Sequence, residues 1–464
     1  MRSAMDQRST RASRSEPLNN ESGSRQSSEG QVAMKIAVWH NLPSGGGKRA
    51  LYDHVRGLVG RGHEIEAWCP PTADRSYLPL SDLVTEHVVP LKPERDWNAD
   101  PASLGILERL RWSPLAKLGA MEWHSRECAQ QINALKFDLL FAASCLWFQT
   151  PMIGRFVDIP RILYLQEPNR AAYEAQPELL WPALSWTPKE LFELGFWERA
   201  LRHRRRLHII RVLAREERKN ALAFDQILVN SFYSRESVLR AFGLDAKVCY
   251  LGVDTNRFVN QRKERESFVV SVGALVPQKN IGFLVRSVAE VPARFRPKLL
   301  LIANTVLPSY SESIQRLADQ LEVTFELKHG ISDAEIVDIL NRARAMVYSS
   351  RLEPFGFAPL EANACGLPVI AVAEGGVRET VKDGVNGILV EHEPESMAAA
   401  IQRLQCDDEL HGRLSAQAEN LARTFWDLHP SIDRLEQRLR ARVQAVNPQA
   451  HPNGLQDDYV LAPR

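Results

Sequence analysis

Strand-like apolar runs alternating with amphipathic helical runs predict an α/β protein of two doubly wound, Rossmann-like sheets facing across a cleft. Three observations carry this. One alternation starts at Lys35, and a second starts at Phe268. Between them lies the polar stretch Asn260-Gln261-Arg262-Lys263-Glu264-Arg265-Glu266. A length of 464 residues suits two or three domains with sizeable cores.

The first alternation opens with the buried-strand pattern Lys35-Ile36-Ala37-Val38-Trp39. Gly45-Gly46-Gly47, an amphipathic run from Arg49 to Val59 and a second strand segment, Gly62-His63-Glu64-Ile65-Glu66-Ala67-Trp68, follow. Further strands are expected at 138–142, 161–165, 226–230 and 247–251, with Ser231 as a helix N-cap. The second alternation places strands at 268–272, 298–302, 324–327, 345–348, 368–372 and 387–390. These patterns divide the chain into a disordered extension (1–33), a first Rossmann-like domain (34–262), a second (263–424), a final helix (425–445) and a flexible tail (446–464). Two such sheets collect ligands in the cleft between them.

A net charge of +1 gives no electrostatic case for nucleic acid. The six cysteines are scattered without metal-ligand spacing and read as buried free thiols of a reducing compartment. No apolar run reaches the length of a membrane span, and residues 1–33 lack the apolar core of a secretory signal. The expected location is cytoplasmic. One local feature points to a membrane's inner face. The aromatics Trp181, Trp186, Phe192, Phe196 and Trp197 precede nine basic residues between Arg199 and Lys219, a composition suited to peripheral contact with anionic lipid. A helix with a solvated basic face and a buried aromatic edge is the alternative.

The densest chemistry lies in Ser349–Pro368. Glu353 and Glu361 stand eight residues apart, with Gly356-Phe357 between them and the strand 345–348 before. The first carboxylate then sits on a strand-to-helix loop and the second about one turn into the helix. A helix opening with unpaired N–H groups suits a phosphate, and carboxylates beside it accept hydrogen bonds from sugar hydroxyls. A glycosidase pair fits less well. Its carboxyls stand roughly 5–9.5 Å apart, whereas eight helical residues span about 12 Å.

This segment resembles the E-x7-E signature of retaining GT-B glycosyltransferases of family 4, and the resemblance extends over about residues 34–440. Tyr250-Leu251-Gly252-Val253-Asp254 with Phe258, and Asn230-Ser231, are similar to two architectural signatures of that family, in the right order. Gly45-Gly46-Gly47 resembles its glycine-rich loop, which implies that Gly46 and Gly47 let backbone approach the donor closely. Lys279, in Gly273-Ala274-Leu275-Val276-Pro277-Gln278-Lys279, matches the family's diphosphate-gripping lysine, but Ala274 stands where an arginine is usual. A second cation must then come from elsewhere, and Arg351 or Arg378 are the candidates. Tyr164-Leu165-Gln166-Glu167-Pro168-Asn169-Arg170 resembles a mannosyltransferase segment, with Gln166 where those enzymes carry histidine. Gln166 can bond a sugar hydroxyl but cannot titrate. Gly375-Gly376-Val377-Arg378-Glu379 and Asp383-Gly384-Val385-Asn386-Gly387 resemble two further family turns; the first can touch sugar or phosphate, and the second reads as structural.

The resemblance implies a retaining, metal-independent hexosyltransferase with no cofactor. It would move a sugar from a nucleotide-diphosphate sugar, with a lean toward GDP-mannose, to a hydroxyl of a saccharide or lipid-linked acceptor in polysaccharide or glycoconjugate synthesis. Glu361 would hold the donor ribose with Gly356, Phe357, Gly46, Gly47 and Arg351 around the donor. Glu353, Lys279 and Gln166 would serve the reacting end. It also implies that the final helix, with Phe425-Trp426, Leu435 and Leu439, crosses back onto the first domain. Two other readings share the scaffold: a non-catalytic nucleotide-sugar binder, suggested by Ala274 and Gln166, and a nucleotide-sugar 2-epimerase.

Overall fold

The structure, a computed structural model, describes residues 32–98, 114–174 and 194–446. Most of the expected N-terminal extension and C-terminal tail, and the aromatics Trp181, Trp186 and Phe192, lie outside the described residues.

The first alternation forms a seven-stranded sheet of order β3-β2-β1-β4-β5-β6-β7. Its strands are β1 Lys35–Asn41, β2 Glu64–Cys69, β3 Thr85–Val88, β4 Leu139–Cys145, β5 Arg161–Tyr164, β6 Gln226–Val229 and β7 Lys247–Val248. The second forms a six-stranded sheet of order β10-β9-β8-β11-β12-β13. There the strands are β8 Phe268–Val272, β9 Lys298–Ala303, β10 Phe325–His329, β11 Ala345–Tyr348, β12 Val369–Val372 and β13 Gly387–Val390. Strands pair in parallel throughout; Ile36, for instance, lies opposite Ile65 on one side and Leu139 on the other. In both sheets the order reverses at the first strand, β1 or β8, which is where a doubly wound sheet opens a crevice for a ligand.

Helices cover both faces of each sheet, which is why the central strands read as unbroken apolar runs. Ile36 and Val38 pack with Leu51, Val55 and Leu58 of the helix Gly46–Val59. Ala37 and Trp39 face the other way, against Met121 and Ile132 of the helix Pro114–Ala134. Two elements depart from the sequence reading. β3 was not expected, because Thr85-Glu86-His87-Val88 is a partly exposed edge strand with little apolar signal. The strand expected at 247–251 ends at Val248; the Cys249 N–H still donates to the Val229 carbonyl at 2.8 Å, and Cys249, Tyr250 and Leu251 are buried.

The last helix, Leu428–Val446, packs on the first half of the molecule. A Cβ on Gly57 would lie 2.5 Å from the Ile432 side chain, so only a bare backbone lets the two helices meet there. Leu435 and Leu439 are fully buried beneath it. Glu436 accepts from Arg61 at 2.7 Å and pairs with His63 at 3.1 Å. Burial would raise the Glu436 carboxyl, but bonds from Arg61, Arg440 and His63 outweigh it and hold the pKa at about 2.

A second tie joins the two sheets' surroundings. Ser231 caps the helix Phe232–Phe242, as expected, by accepting from the Ser234 N–H, and it donates to the Pro354 carbonyl at 2.6 Å. Glu379 reaches the same helix opening. Its carboxylate accepts the N–H groups of Phe232 at 2.9 Å and Tyr233 at 3.0 Å, and the Tyr250 hydroxyl at 2.9 Å. An acidic group at a helix N-terminus answers both the unpaired donors and the dipole.

Candidate functional site

A cavity of about 720 Å³ lies where the two reversal points face each other. The loops after β1, β5, β8, β9, β10 and β11 line it, all at the carboxyl ends of their strands.

β11 delivers the chain into Ser349–Phe355, and Gly356 turns it with φ +97° into the helix Phe357–Ala364. A left-handed turn of that kind favours glycine. Glu353 therefore sits on the loop and Glu361 one turn into the helix, and both line the cavity. Each carboxylate is held by one cation. Lys279 donates to Glu353 Oε2 at 2.7 Å, joined by the Ser350 hydroxyl at 2.8 Å. Arg49, from the helix Gly46–Val59 across the cleft, donates to Glu361 Oε1. Burial by itself would raise the Glu353 carboxyl, but the Lys279 ammonium and the bonds from Lys279 and Ser350 bring it to about 2. Lys279 is raised in turn, because Glu353 outweighs the effect of burial. The Lys279 turn is fixed by Ser349, whose hydroxyl donates to the carbonyls of Lys279 and Asn280 at 3.1 Å each.

The glycine loop closes one wall. A Cβ on Gly47 would stand 3.0 Å from the Gln166 amide, and one on Gly46 would stand 3.4 Å from the Phe357 ring. Gly46, Gly47, Gln166, Phe357, Gly356, Lys279, Glu353 and Glu361 thus all line one cavity. Arg351 is not among its lining residues. Its Nε is paired with Glu374 at 2.8 Å, so the guanidinium is directed to another carboxylate. Arg378 turns back onto the Gly375 carbonyl at 3.1 Å.

Three lining residues had no role assigned from sequence. Arg49 carried a faint signal, standing two residues after the glycine triple. Arg170 and Glu167 belong to the segment around Gln166. Arg170 pairs with Glu167 at 2.5 Å and donates to the carbonyls of Arg351 at 3.2 Å and Leu352 at 2.6 Å, so it braces the Glu353 loop from the opposite half. Burial raises the Glu167 carboxyl despite Arg170 beside it.

Behind the glycine loop, His40, Cys69 and Glu86 bring candidate metal-ligand atoms within 4.8 Å of one another. They come from β1, β2 and β3, so sequence spacing could not reveal the group. His40 Nε2 lies 3.2 Å from Glu86, and the fully buried Lys48 supplies positive charge beside them. Five cysteines are buried free thiols, as expected, and Cys406 is exposed.

Two family models match this chain in succession. "Glycosyltransferase Family 4" matches residues 44–257, and "Glycosyl transferases group 1" matches residues 252–421. The chain belongs to the family 4, group 1 glycosyltransferases. A D-inositol 3-phosphate glycosyltransferase of Thermomonospora curvata is 30% identical over 269 residues, 51% of this chain and 61% of that one. A GDP-mannose-dependent alpha-(1-6)-phosphatidylinositol monomannoside mannosyltransferase of Mycolicibacterium smegmatis is 29% identical over 246 residues, 48% of this chain and 63% of that one. The matched region therefore spans about three fifths of these relatives' length. Among solved structures, Anabaena HepE with UDP and glucose superposes with a TM-score of 0.63 at 20% identity, over 88% of this chain and 99% of that one. Sucrose-phosphate synthase from Thermosynechococcus elongatus gives 0.65 at 17% identity, over 89% and 100%. These likenesses establish the GT-B fold.

In this family 4 member the two glycine-containing turns after β12 are structural. Gly375 and Gly376 press on backbone, since a Cβ on Gly376 would lie 2.1 Å from the Pro354 carbonyl oxygen. Asn386, fully buried, ties the next turn by bonding Asn363 at 2.7 Å and the Thr380 carbonyl at 2.8 Å.

Proposed function

We propose that this protein is a retaining glycosyltransferase that moves a hexose from a nucleotide-diphosphate sugar to a hydroxyl acceptor without a metal. The observation that carries the reading is the pair of carboxylates on one loop-to-helix segment, each held by a cation, inside a cavity at two facing reversal points. Glu361 takes the donor's ribose hydroxyls and Glu353 a hydroxyl of its sugar. As the bond from the anomeric carbon to the diphosphate oxygen breaks, negative charge grows on the departing diphosphate. Lys279 and backbone N–H groups near Gly356 and Phe357 neutralise it. The acceptor oxygen approaches on the same face, and an oxygen of the leaving phosphate takes its proton, so the anomeric configuration is retained. Gln166, against Gly47, bonds a sugar hydroxyl without exchanging protons.

GDP-mannose is the donor favoured here, because a relative bears that dependence in its name and the Gln166 segment resembles a mannosyltransferase's. The acceptor class is a saccharide or a lipid-linked sugar. A panel of nucleotides and nucleotide sugars tests the donor. A ligand at a hundredfold excess over its Kd stabilises the fold by about 2.7 kcal/mol and raises the melting temperature. Release of nucleoside diphosphate only when acceptor is present identifies a transferase. Conversion of the sugar without acceptor would instead identify the epimerase, and binding without either would identify the non-catalytic reading. Product NMR reads the anomeric configuration, and EDTA leaves the rate unchanged if no metal takes part.

A lipid-linked acceptor is supported by the helix Leu194–Ala221. Trp197 and Leu201 are 60% and 70% exposed, and Arg199, Arg202, Arg204, Arg205 and Arg206 are exposed around them. No helix among the described residues is long and apolar enough to cross a membrane. Each basic residue near an anionic surface contributes about 1 kcal/mol, screened over about 10 Å at 0.1 M salt. The protein is expected to co-sediment with phosphatidylglycerol vesicles at low salt and to release at high salt. Equal binding to phosphatidylcholine vesicles, or no loss when Arg204, Arg205 and Arg206 are all changed to Glu, would refute peripheral contact.

A further inference from the structure

We propose that Arg49, reaching across from the first half, is the second cation for the donor's diphosphate. This rests on the donor site described above. A nucleoside diphosphate brings at least two negative charges into the cavity. Among the described residues three basic side chains line it: Arg49, Arg170 and Lys279.

Arg170 is committed elsewhere. Its partners are Glu167, Glu174 at 3.7 Å and the carbonyls of Arg351 and Leu352. Turning it toward phosphate would strip the brace from the Glu353 loop. Arg351 and Arg378 bond Glu374 and the Gly375 carbonyl, and Ala274 offers no charge beside Gly273.

Arg49 and Lys279 differ from these in their partners. Each is paired with one of the two carboxylates that would take donor hydroxyls, Lys279 with Glu353 at the sugar end and Arg49 with Glu361 at the ribose end. The diphosphate lies between ribose and sugar, so it passes between the two cations. Arg49 meets Glu361 through Nη1 and rests over the Phe258 ring, 5.7 Å from its centroid. A guanidinium has five N–H donors in a planar fork, so it can keep one bond to Glu361 and turn others to a phosphate oxygen. Its place in the first turn of a 14-residue helix adds that helix's positive end and the Gly46 and Gly47 backbone on the same side. The cleft then closes on its ligand by charge from both halves. The second half supplies Lys279 and the first supplies Arg49.

The test compares nucleoside diphosphate with monophosphate. Isothermal titration of GDP and GMP, and of UDP and UMP, is run on the parent, Arg49→Ala and Arg49→Lys. For the base that binds, Arg49→Ala is expected to weaken the diphosphate by about tenfold or more, as losing a charge-assisted hydrogen bond does, while the monophosphate changes far less. Arg49→Lys should recover part of the difference, and Ala274→Arg placed in the Arg49→Ala background should recover more. An equal loss for both nucleotides would mean that Arg49 acts only through Glu361 and the ribose. A gain for the diphosphate would mean that it merely blocks Glu361. Either result overturns the inference and leaves the donor site standing. A parent that binds neither diphosphate overturns both.

Discussion

Lys279→Ala is expected to lower kcat by about 10²–10³, the usual cost of about 3–4 kcal/mol for losing a charge contact made in the transition state. The same change also strips Glu353 of its partner. With the ammonium gone, burial is opposed chiefly by Ser350, and the Glu353 pKa climbs from about 2. In the parent, Glu353 is ionised throughout the neutral range and adds no limb to a pH–rate profile. In Lys279→Ala a limb should move up from the acid side. The sign for stability follows. A carboxyl with depressed pKa stabilises the fold above its unfolded pKa and loses that contribution as pH falls through its folded value, so the parent's acid sensitivity should shrink in the variant. Combining Lys279→Ala with Glu353→Gln should restore thermal stability but not turnover. A rate loss below about threefold would assign the diphosphate to another cation.

Glu379→Ala is expected to cost about 2–4 kcal/mol, because three donors on two helical and loop segments lose a charged acceptor together. Differential scanning calorimetry should show a lower melting temperature, and Glu379→Gln, which keeps one accepting oxygen, should lie between the two. Turnover should fall further than donor affinity, since Glu379 touches no part of the cavity but fixes the helix opening beside Gln166 and Pro354. An unchanged melting temperature for Glu379→Ala would show that Ser231 and the packing around Tyr250 hold the halves together unaided.

What could be read from sequence divides along a physical line. Strands buried on both faces announce themselves as apolar runs, which is why β1, β4, β8 and β9 were legible and the polar edge strand β3 was not. The N-cap at Ser231 was legible because cap, turn and helix are neighbours in the chain. Glu353 and Glu361 were legible for the same reason. Their cations were only half so. Lys279 follows a strand end that the pattern already marked, whereas Arg49 meets Glu361 across 312 residues of sequence. Arg351 illustrates the converse. Adjacent to the site in sequence, it is drawn off by Glu374, a partner 23 residues away. Sequence reading finds which residues share a loop; it does not find which of several arginines a carboxylate selects.

The seating of Ile432 over Gly57 makes the molecule's halves unequal to its halves as text. The chain passes between them twice, once after Leu251 and again near Asp427. The two passages are bonded side by side: the Val253 N–H donates to the Trp426 carbonyl at 2.8 Å, and the Leu428 N–H donates to the Val253 carbonyl at 3.0 Å. Such a paired crossing ties the two passages of the chain to each other at Val253. It also means that neither half is one contiguous stretch. A fragment ending before Gly252 would leave the groove at Gly57 bare, and a fragment beginning there would carry a helix whose Leu435 and Leu439 have nothing to cover them. Cutting this protein into independent pieces would require grafting residues 428–446 behind the first half by a new connection.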